Sequence, residues 1–280
     1  MSNNSQTSLT QSVTRAVHIL TCFTDETPLL RVTDISNRLE LTASLVSRLL
    51  STLEHEGFVE RDEDTGFYRL GRTIVTLAGV ALNHNRLRME ALSEMQRVHN
   101  LLGLGVNLAE FDQDSIFYLA HIDAPELPRH YTLIGRHNPL HATGMGKVLL
   151  ASLPDEERAN CIQRLNLYPY TPHTLSDSQS LEAELDDVRS QGWALEMEEL
   201  AFGRACIASP IRDQSGKVIA AVSISGPLST MRWNERRDEL INAVIEIADR
   251  ISMRLGYVTV PHVPGKWRPA KSPRITEQSE

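Results

Sequence analysis

The stretch 32–71 constrains the fold more than any other part of the chain, because two short helical periods are followed at once by two strand-like runs. Thr33 is a good helix N-cap, and Asp34 sits in the first turn, where the positive end of a helix favours a negative charge. The spacing predicts a helix to about Leu39, with Ile35 and Leu39 turned to a common core. Glu40-Leu41 reads as a turn, Thr42 as the cap of a second helix running to about Glu56, and Gly57 as its stop. On that second helix Leu45, Val46, Leu49, Leu50 and Leu53 form an apolar stripe, whereas Ser44, Ser47, Arg48 and Ser51 fall together on another side. Residues 58–61 and 67–70, separated by Asp62-Glu63-Asp64-Thr65-Gly66, read as a hairpin. Two helices, a tight turn and a hairpin make a winged helix-turn-helix. Its second helix suits the DNA major groove, and its hairpin suits the backbone or the neighbouring minor groove. A merely solvated helix face is the bland alternative for such a polar stripe.

Charge restricts how DNA could be held. Residues 1–70 carry six Arg, no Lys and ten acidic residues, a balance of −4, and the whole chain has a net charge of −8. Affinity for DNA comes largely from neutralised phosphates, so without a basic excess the contacts must fall on a few converging arginines. Arg31, Arg38, Arg48, Arg61, Arg69 and Arg72 are the candidates, helped by hydroxyls and helix N-termini. There is no apolar run long enough for a membrane span and no signal-peptide core, which points to a cytoplasmic protein with no membrane partner. Cys22, Cys161 and Cys206 are too scattered for a disulfide framework or a Cys-rich zinc site, and the histidines show no metal-binding pair, so no metal and no cofactor is expected.

Read in order, residues 1–11 are polar and expected to be disordered. Ser12 is placed to cap a first helix whose Val13, Val17, Leu20 and Phe23 recur at helical spacing, and residues 12–72 then form the DNA-binding domain. Residues 73–102 read as a helical linker, from Ile74, Leu77, Ala78, Ala81 and Leu82 and then Leu92, Met95 and Val98; its apolar stripe is equally suited to a dimer seam. From Gly103 the period becomes strand-like over 106–111 and 115–121, with 131–134 as a third strand. Helices are predicted over 147–153, 155–165 and 180–191, strands over 193–198, 204–211 and 217–225, and a closing helix from Asn234 to about Leu255. This order suggests an α+β domain over 103–257 around a mostly antiparallel sheet, followed by a disordered basic tail, 258–280.

A pocket is also legible in the second domain. On the strand 217–225, Ile219, Ala221, Ser223 and Ser225 are predicted to share a face; on 204–211, Cys206 and Ala208 do so. Gly144 and Gly146 precede a helix whose free N–H groups would welcome a carboxylate. Gly144-Met145-Gly146-Lys147 is not a phosphate loop, because it lacks the preceding glycine and Val148 stands where a hydroxyl would hold magnesium.

Across residues 12–257 the chain resembles the IclR family of bacterial transcriptional regulators. The residues that carry the likeness are Ser12-Val13-Thr14-Arg15-Ala16-Val17-His18-Ile19-Leu20, the run Ser47-Arg48-Leu49-Leu50-Ser51-Thr52-Leu53 with Gly57-Phe58-Val59, and Tyr68-Arg69-Leu70-Gly71. In the second domain they are Leu140-His141-Ala142-Thr143-Gly144-Met145-Gly146-Lys147, Tyr170-Thr171-Pro172-His173-Thr174-Leu175 and Gly203-Arg204-Ala205-Cys206-Ile207-Ala208-Ser209-Pro210. The resemblance implies a winged helix-turn-helix, a linker helix and a GAF-like effector-binding domain, assembled as dimers or tetramers on double-stranded operator DNA. It implies DNA contacts from the helix containing Ser44, Ser47 and Arg48, to which the residue reading adds Thr33, Thr42, Ser51, Arg61 and Arg69, and an effector held by Gly144, Met145, Glu199, Cys206, Ser223 and Ser225. The chain departs from the family pattern at Glu40, Thr42 and Ala43, where a glycine, a proline and a basic residue are usual, so Glu40 must hold a conformation that glycine accepts more easily.

The leading reading is therefore a DNA-binding regulator, not an enzyme, controlled by a small organic, aromatic or sugar acid. Two rivals come from other classes: a hydrolase or transferase with Cys206 as nucleophile and His141 as base, and a DNA-binding protein that takes no ligand.

Overall fold

The computed structural model describes residues 9–123 and 134–258, and the chain divides into two units, Met1–His84 and Asn85–Glu280. In the first, α1 (Gln11–Thr21) follows Thr10 at the N-cap position, so Ser12 lies within the helix and is not its cap. Ile19 takes the central place in the core, with Ala16, Leu20 and Phe23 beside it. That choice of face turns Val13 and Val17 outward, 61% and 51% exposed, against the sequence expectation. α2 (Val32–Leu39) begins one residue before Thr33. Asp34 reaches back to accept a hydrogen bond from the Arg31 N–H at 2.7 Å, and this fixes the helix start, so Thr33 is exposed inside the first turn and caps nothing.

Glu40 ends α2 in the left-handed conformation, φ 53° and ψ 37°, and its N–H bonds to the Ser36 carbonyl. A side chain with a Cβ is disfavoured there. Glu40→Gly is accordingly expected to stabilise this unit, by up to about 1 kcal/mol; a chemical-denaturation midpoint that falls would contradict this. α3 (Ala43–His55) follows, its N-terminus capped by the Thr42 hydroxyl, which accepts from the Leu45 N–H at 3.4 Å. Val46, Leu50 and Leu53 are buried with Ile19 and Ile35, and Leu49 packs against them. β1 (Val59–Arg61) pairs antiparallel with β2 (Tyr68–Leu70), and Asp62 closes the turn by accepting from the Asp64 and Thr65 N–H groups. Leu30 adds an antiparallel bridge to Tyr68 that the sequence did not suggest. α4 (Arg72–Asn83) closes the unit with no buried residue; Val75, Leu77 and Val80 are all exposed.

The second unit opens with α5 (Arg86–Leu102), capped by the Asn85 side chain, and its Leu87, Ala91, Met95, Val98 and Leu102 belong to the core. The six-stranded sheet comprises β3 (Gly105–Asp112), β4 (Ser115–Ile122), β5 (His137–Pro139), β6 (Ala194–Met197), β7 (Arg204–Arg212) and β8 (Val218–Pro227). Its order is β5-β4-β3-β8-β7-β6, with every neighbouring pair antiparallel. The predicted strand 131–134 lies outside the described residues apart from Ile134, which is in a turn, and most of 1–11 and 258–280 is outside them too. β5 was not expected; its Pro139 is tolerated because the strand is at the sheet edge.

One face of the sheet packs on α5 and on α10 (Trp233–Arg254), which follows the short α9 (Leu228–Met231), burying Leu108, Val222, Ile224, Val244 and Ile247. The opposite face carries α6 (Gly144–Ala151), α7 (Asp155–Arg164) and α8 (Ser178–Gln191), over Tyr118, Ala208 and Ala221. A bulge opposite Ile211 and Arg212 inserts Ile219 into β8, so Ile219 packs on the α5–α10 side. The expected common face of Ile219 with Ala221, Ser223 and Ser225 therefore holds only for the last three, because the alternation of side chains is reset at the bulge.

Candidate functional site

Two groups of residues have the makings of a site, one in each unit. In the first unit the apolar stripe of α3 is buried against α1 and α2, and this leaves Ser44, Ser47, Arg48 and Ser51 exposed along the other side. Thr42 is exposed as well, but its hydroxyl is engaged in the cap. The arginines, equal in sequence, are unequal in structure. Arg48 has no ionic or hydrogen-bonding partner for its guanidinium among the described residues. Arg61 lies over the Tyr68 ring, 5.7 Å from its centroid, and Arg31 over Phe67 at 4.4 Å. Arg38 donates to the Cys22 carbonyl at 2.8 Å and so braces α2. Arg69 donates through two nitrogens to Glu60 across the hairpin, at 2.8 and 3.0 Å, with Arg72 3.9 Å from the same carboxylate. Exposed ion pairs of this kind hold little energy, so Arg69 stays exchangeable toward another anion.

In the second unit the register of β6, β7, β8, β3 and β4 assembles a polar patch on an otherwise apolar sheet. Ser225 stands opposite Cys206 and Cys206 opposite Glu196; in the next row Ala208, Ser223, Asn107 and His121 follow one another. The N-terminus of α6 abuts this patch. A Cβ on Gly144 would stand 2.9 Å from the Cys206 sulfur, and one on Gly146 would overlap the backbone of Leu140, so both glycines are needed for packing. Thr143 caps α6 by accepting from the Gly146 N–H at 3.1 Å, while the Met145 N–H has no acceptor among the described residues. Gly144, Met145, Cys206, Ser223 and Ser225 are thus brought together.

Glu199 is placed differently. Its carboxylate accepts from the Lys147 ammonium at 2.7 Å, and Lys147, only 1% exposed, also reaches Glu184 at 3.0 Å and the Leu195 carbonyl. The residue beside Cys206 is Glu196, whose carboxylate accepts from the Glu199 and Leu200 N–H groups at 2.8 and 3.2 Å. Burial pushes the Glu196 carboxyl up to about 7, against those two hydrogen bonds. Sequence reasoning missed Glu196, Asn107, His121 and Lys147. A polar residue at an inward strand position, such as Asn107 between Val106 and Leu108, was the available signal.

Cys206 and His141 do not form a nucleophile and base couple. Burial raises the thiol to about 12, far from the thiolate that catalysis needs. The His141 Nε2–H is engaged with the Tyr168 carbonyl at 3.1 Å, and burial lowers the basicity of its ring. An open cavity of about 560 Å³ lies elsewhere, at the outer edge of β6, lined by Glu184, Asp187, Glu199, Trp193, Leu195 and Met197. Its three carboxyl groups disfavour an anion. Among the described residues no helix is long and apolar enough to cross a membrane.

Comparison with known proteins covers both units. The IclR helix-turn-helix domain model matches residues 12–63, and the model described as the C-terminal domain of the bacterial transcriptional regulator IclR matches residues 79–253. The regulator KdgR of Dickeya chrysanthemi is 36% identical over 231 residues, covering 82% of this chain and 75% of its own. The repressor AllR of Klebsiella pneumoniae is also 36% identical over 231 residues, covering 80% and 82%. Among solved structures, an IclR homologue from Microbacterium hydrocarbonoxydans in complex with 4-hydroxybenzoate superposes with a TM-score of 0.77 at 27% identity, covering 87% of this chain and 98% of its own. Thermotoga maritima IclR superposes with a TM-score of 0.72, also at 27% identity, over 88% and 99%. With both units matched in sequence and in fold, the chain belongs to the IclR family of bacterial transcriptional regulators, DNA-binding proteins with a helix-turn-helix domain and an effector-binding C-terminal domain.

Proposed function

We propose that this cytoplasmic regulator reads operator DNA through α3, with Ser44, Ser47, Arg48 and Ser51 in the major groove, and answers to a small carboxylic acid held between α6 and the sheet. The observation that carries the DNA reading is the two-sidedness of α3: leucines buried behind, and in front three hydroxyls and a guanidinium with no partner among the described residues. Arg61 and Arg69 on the hairpin supply backbone contacts, and a second copy doubles the set. The uncovered apolar face of α4 is suited to such self-association, as a dimer or tetramer.

The effector reading rests on the same face of the sheet bearing Cys206, Ser223 and Ser225 beside the N-terminus of α6. Backbone N–H groups at a helix N-terminus and hydroxyl donors favour an anionic oxygen. The solved relative that contains 4-hydroxybenzoate supports an aromatic hydroxy acid as one member of the class. The acidic cavity beside β6 is not the site of this ligand. Ligand binding acts on DNA affinity by its differential fit to two arrangements of the paired winged helices.

The test is calorimetric titration of the full-length protein with 4-hydroxybenzoate and other organic, aromatic and sugar acids, each beside its uncharged amide. Acids are expected to bind at least about tenfold more tightly than their amides, a difference of about 1.4 kcal/mol; amides or amines binding as well as the acids would end the proposal. Glu196 adds a pH signature. Its protonated form can donate to a carboxylate and its ionised form repels one, so affinity should be level below about 7 and fall as pH rises through and beyond that value. Glu196→Gln should flatten the profile, and a native profile already flat from pH 6 to 8.5 would remove Glu196 from the site.

A further inference from the structure

The polar patch contains a chain of hydrogen bonds that reaches across three strands. Asn107 on β3 stands opposite Ser223 of β8 on one side and His121 of β4 on the other. Its Nδ2 donates to the Ser223 oxygen at 3.1 Å and to the Ser225 oxygen at 3.0 Å. Its Oδ1 faces the Nδ1 of His121 at 2.5 Å, and the Nε2 of His121 faces an Asp123 carboxylate oxygen at 2.6 Å. Both amide hydrogens are thus taken by the serine oxygens. Each serine oxygen has accepted a bond, yet neither hydroxyl has an acceptor for its own hydrogen among the described residues, although Ser223 is 0% and Ser225 6% exposed. Buried hydroxyls ordinarily donate as well as accept. Two buried donors without acceptors, beside a free N–H of Met145, describe a site that is complete only when something supplies acceptor oxygens.

We propose that Asn107, held by His121 and Asp123, is the positioning residue that sets the polarity of this pocket: it takes up the lone pairs of Ser223 and Ser225 and so turns both O–H groups toward the ligand. This rests on reading the patch as the effector site, and it adds the reason that site takes oxyanions and not donors such as amines. The orientation of the amide decides the matter, and hydrogen-bond partners decide the orientation. With Nδ2 toward the serines, the amide oxygen faces the ring of His121 and takes the hydrogen that its Nδ1 then carries. With the amide reversed, the serines would donate to Oδ1 and offer the ligand only lone pairs, and the His121 Nδ1 would have to be bare to receive Nδ2.

The two orientations differ in a signal that needs no ligand. In a long-range proton–nitrogen NMR spectrum of the full-length protein at neutral pH, with histidine nitrogen labelled and His121 assigned by its loss in His121→Gln, the Nδ1 of His121 is expected in the protonated range. A bare Nδ1 would overturn the proposal. The second measurement is Asn107→Asp, which keeps shape but offers the serines only acceptors, so their hydrogens turn away from the pocket. Affinity for 4-hydroxybenzoate, or for whichever acid of the titration panel binds the native protein, is expected to fall at least about 100-fold, with Asn107→Gln recovering part of it. Unchanged affinity in the folded Asn107→Asp protein would also overturn the proposal. Should the native protein bind none of the acids, the effector reading fails by itself, and the ring signals still decide the orientation of Asn107.

Discussion

Replacing Ser47 and Arg48 together by alanine is expected to lower operator affinity at least about 100-fold while leaving folding stability within about 0.5 kcal/mol of native. Both side chains are exposed on α3, and the leucines that seat the helix lie on its other side, so the change removes recognition groups without touching the core. A well-made side-chain contact to a base or phosphate is worth about 1–3 kcal/mol, and a symmetric assembly makes each contact twice. Arg48 carries most of the loss, since Arg69 and Arg72 share Glu60 and Arg38 holds α2. The readout is a footprint titration on the DNA flanking the gene, with the loss also expected to shrink the salt dependence of binding. An operator affinity within about threefold of native would show that another surface reads the DNA.

The largest stability effect is expected from Lys147→Met. Lys147 is 1% exposed and holds together three separate elements, through Glu199, Glu184 and the Leu195 carbonyl. Burial alone would discharge the ammonium, but the two carboxylates outweigh it and raise its pKa. Glu199 is raised by burial in spite of Lys147, and its Oε2 has no hydrogen-bond partner among the described residues, so this carboxylate depends on the ammonium. Removing one partner of a buried pair leaves an uncompensated charge and costs about 3–5 kcal/mol. For a domain of this size that is a fall in melting temperature of about 10 °C. The double change Lys147→Met with Glu199→Gln should recover most of the loss, because a neutral pair needs no compensation. If the single variant melts with the native protein, Lys147 is not the clamp described.

Much of the first unit was legible in advance because its signals are local. The two-sidedness of α3, the cap at Thr42 and the left-handed Glu40 depend on residues within one or two turns. The cap at Thr33 failed for an equally local reason, since Asp34 accepts from the Arg31 N–H and starts the helix at Val32, which leaves Thr33 inside the first turn. The face of α1 could not be read, because Ile19 and Val17 are both apolar and only the shape of the core selects between them. In the second unit the strand alternation placed Cys206 with Ala208 and Ser223 with Ser225, but it could not foresee the bulge that sends Ile219 to the other side. Glu199 was named for the effector site from the resemblance; strand register sets Glu196, three residues earlier, opposite Cys206, while Glu199 meets Lys147.

What the sequence determined by itself is most of the elements, their order and the family, because helical and strand periods and turn residues are written in neighbouring positions. What only the tertiary structure decided is which polar groups meet. The chain from Asp123 through His121 and Asn107 to Ser223 and Ser225, and the clamp of Lys147 on Glu199 and Glu184, join residues far apart in sequence. Partners at such separations are selected by sheet register and by the burial that obliges a polar group to find one.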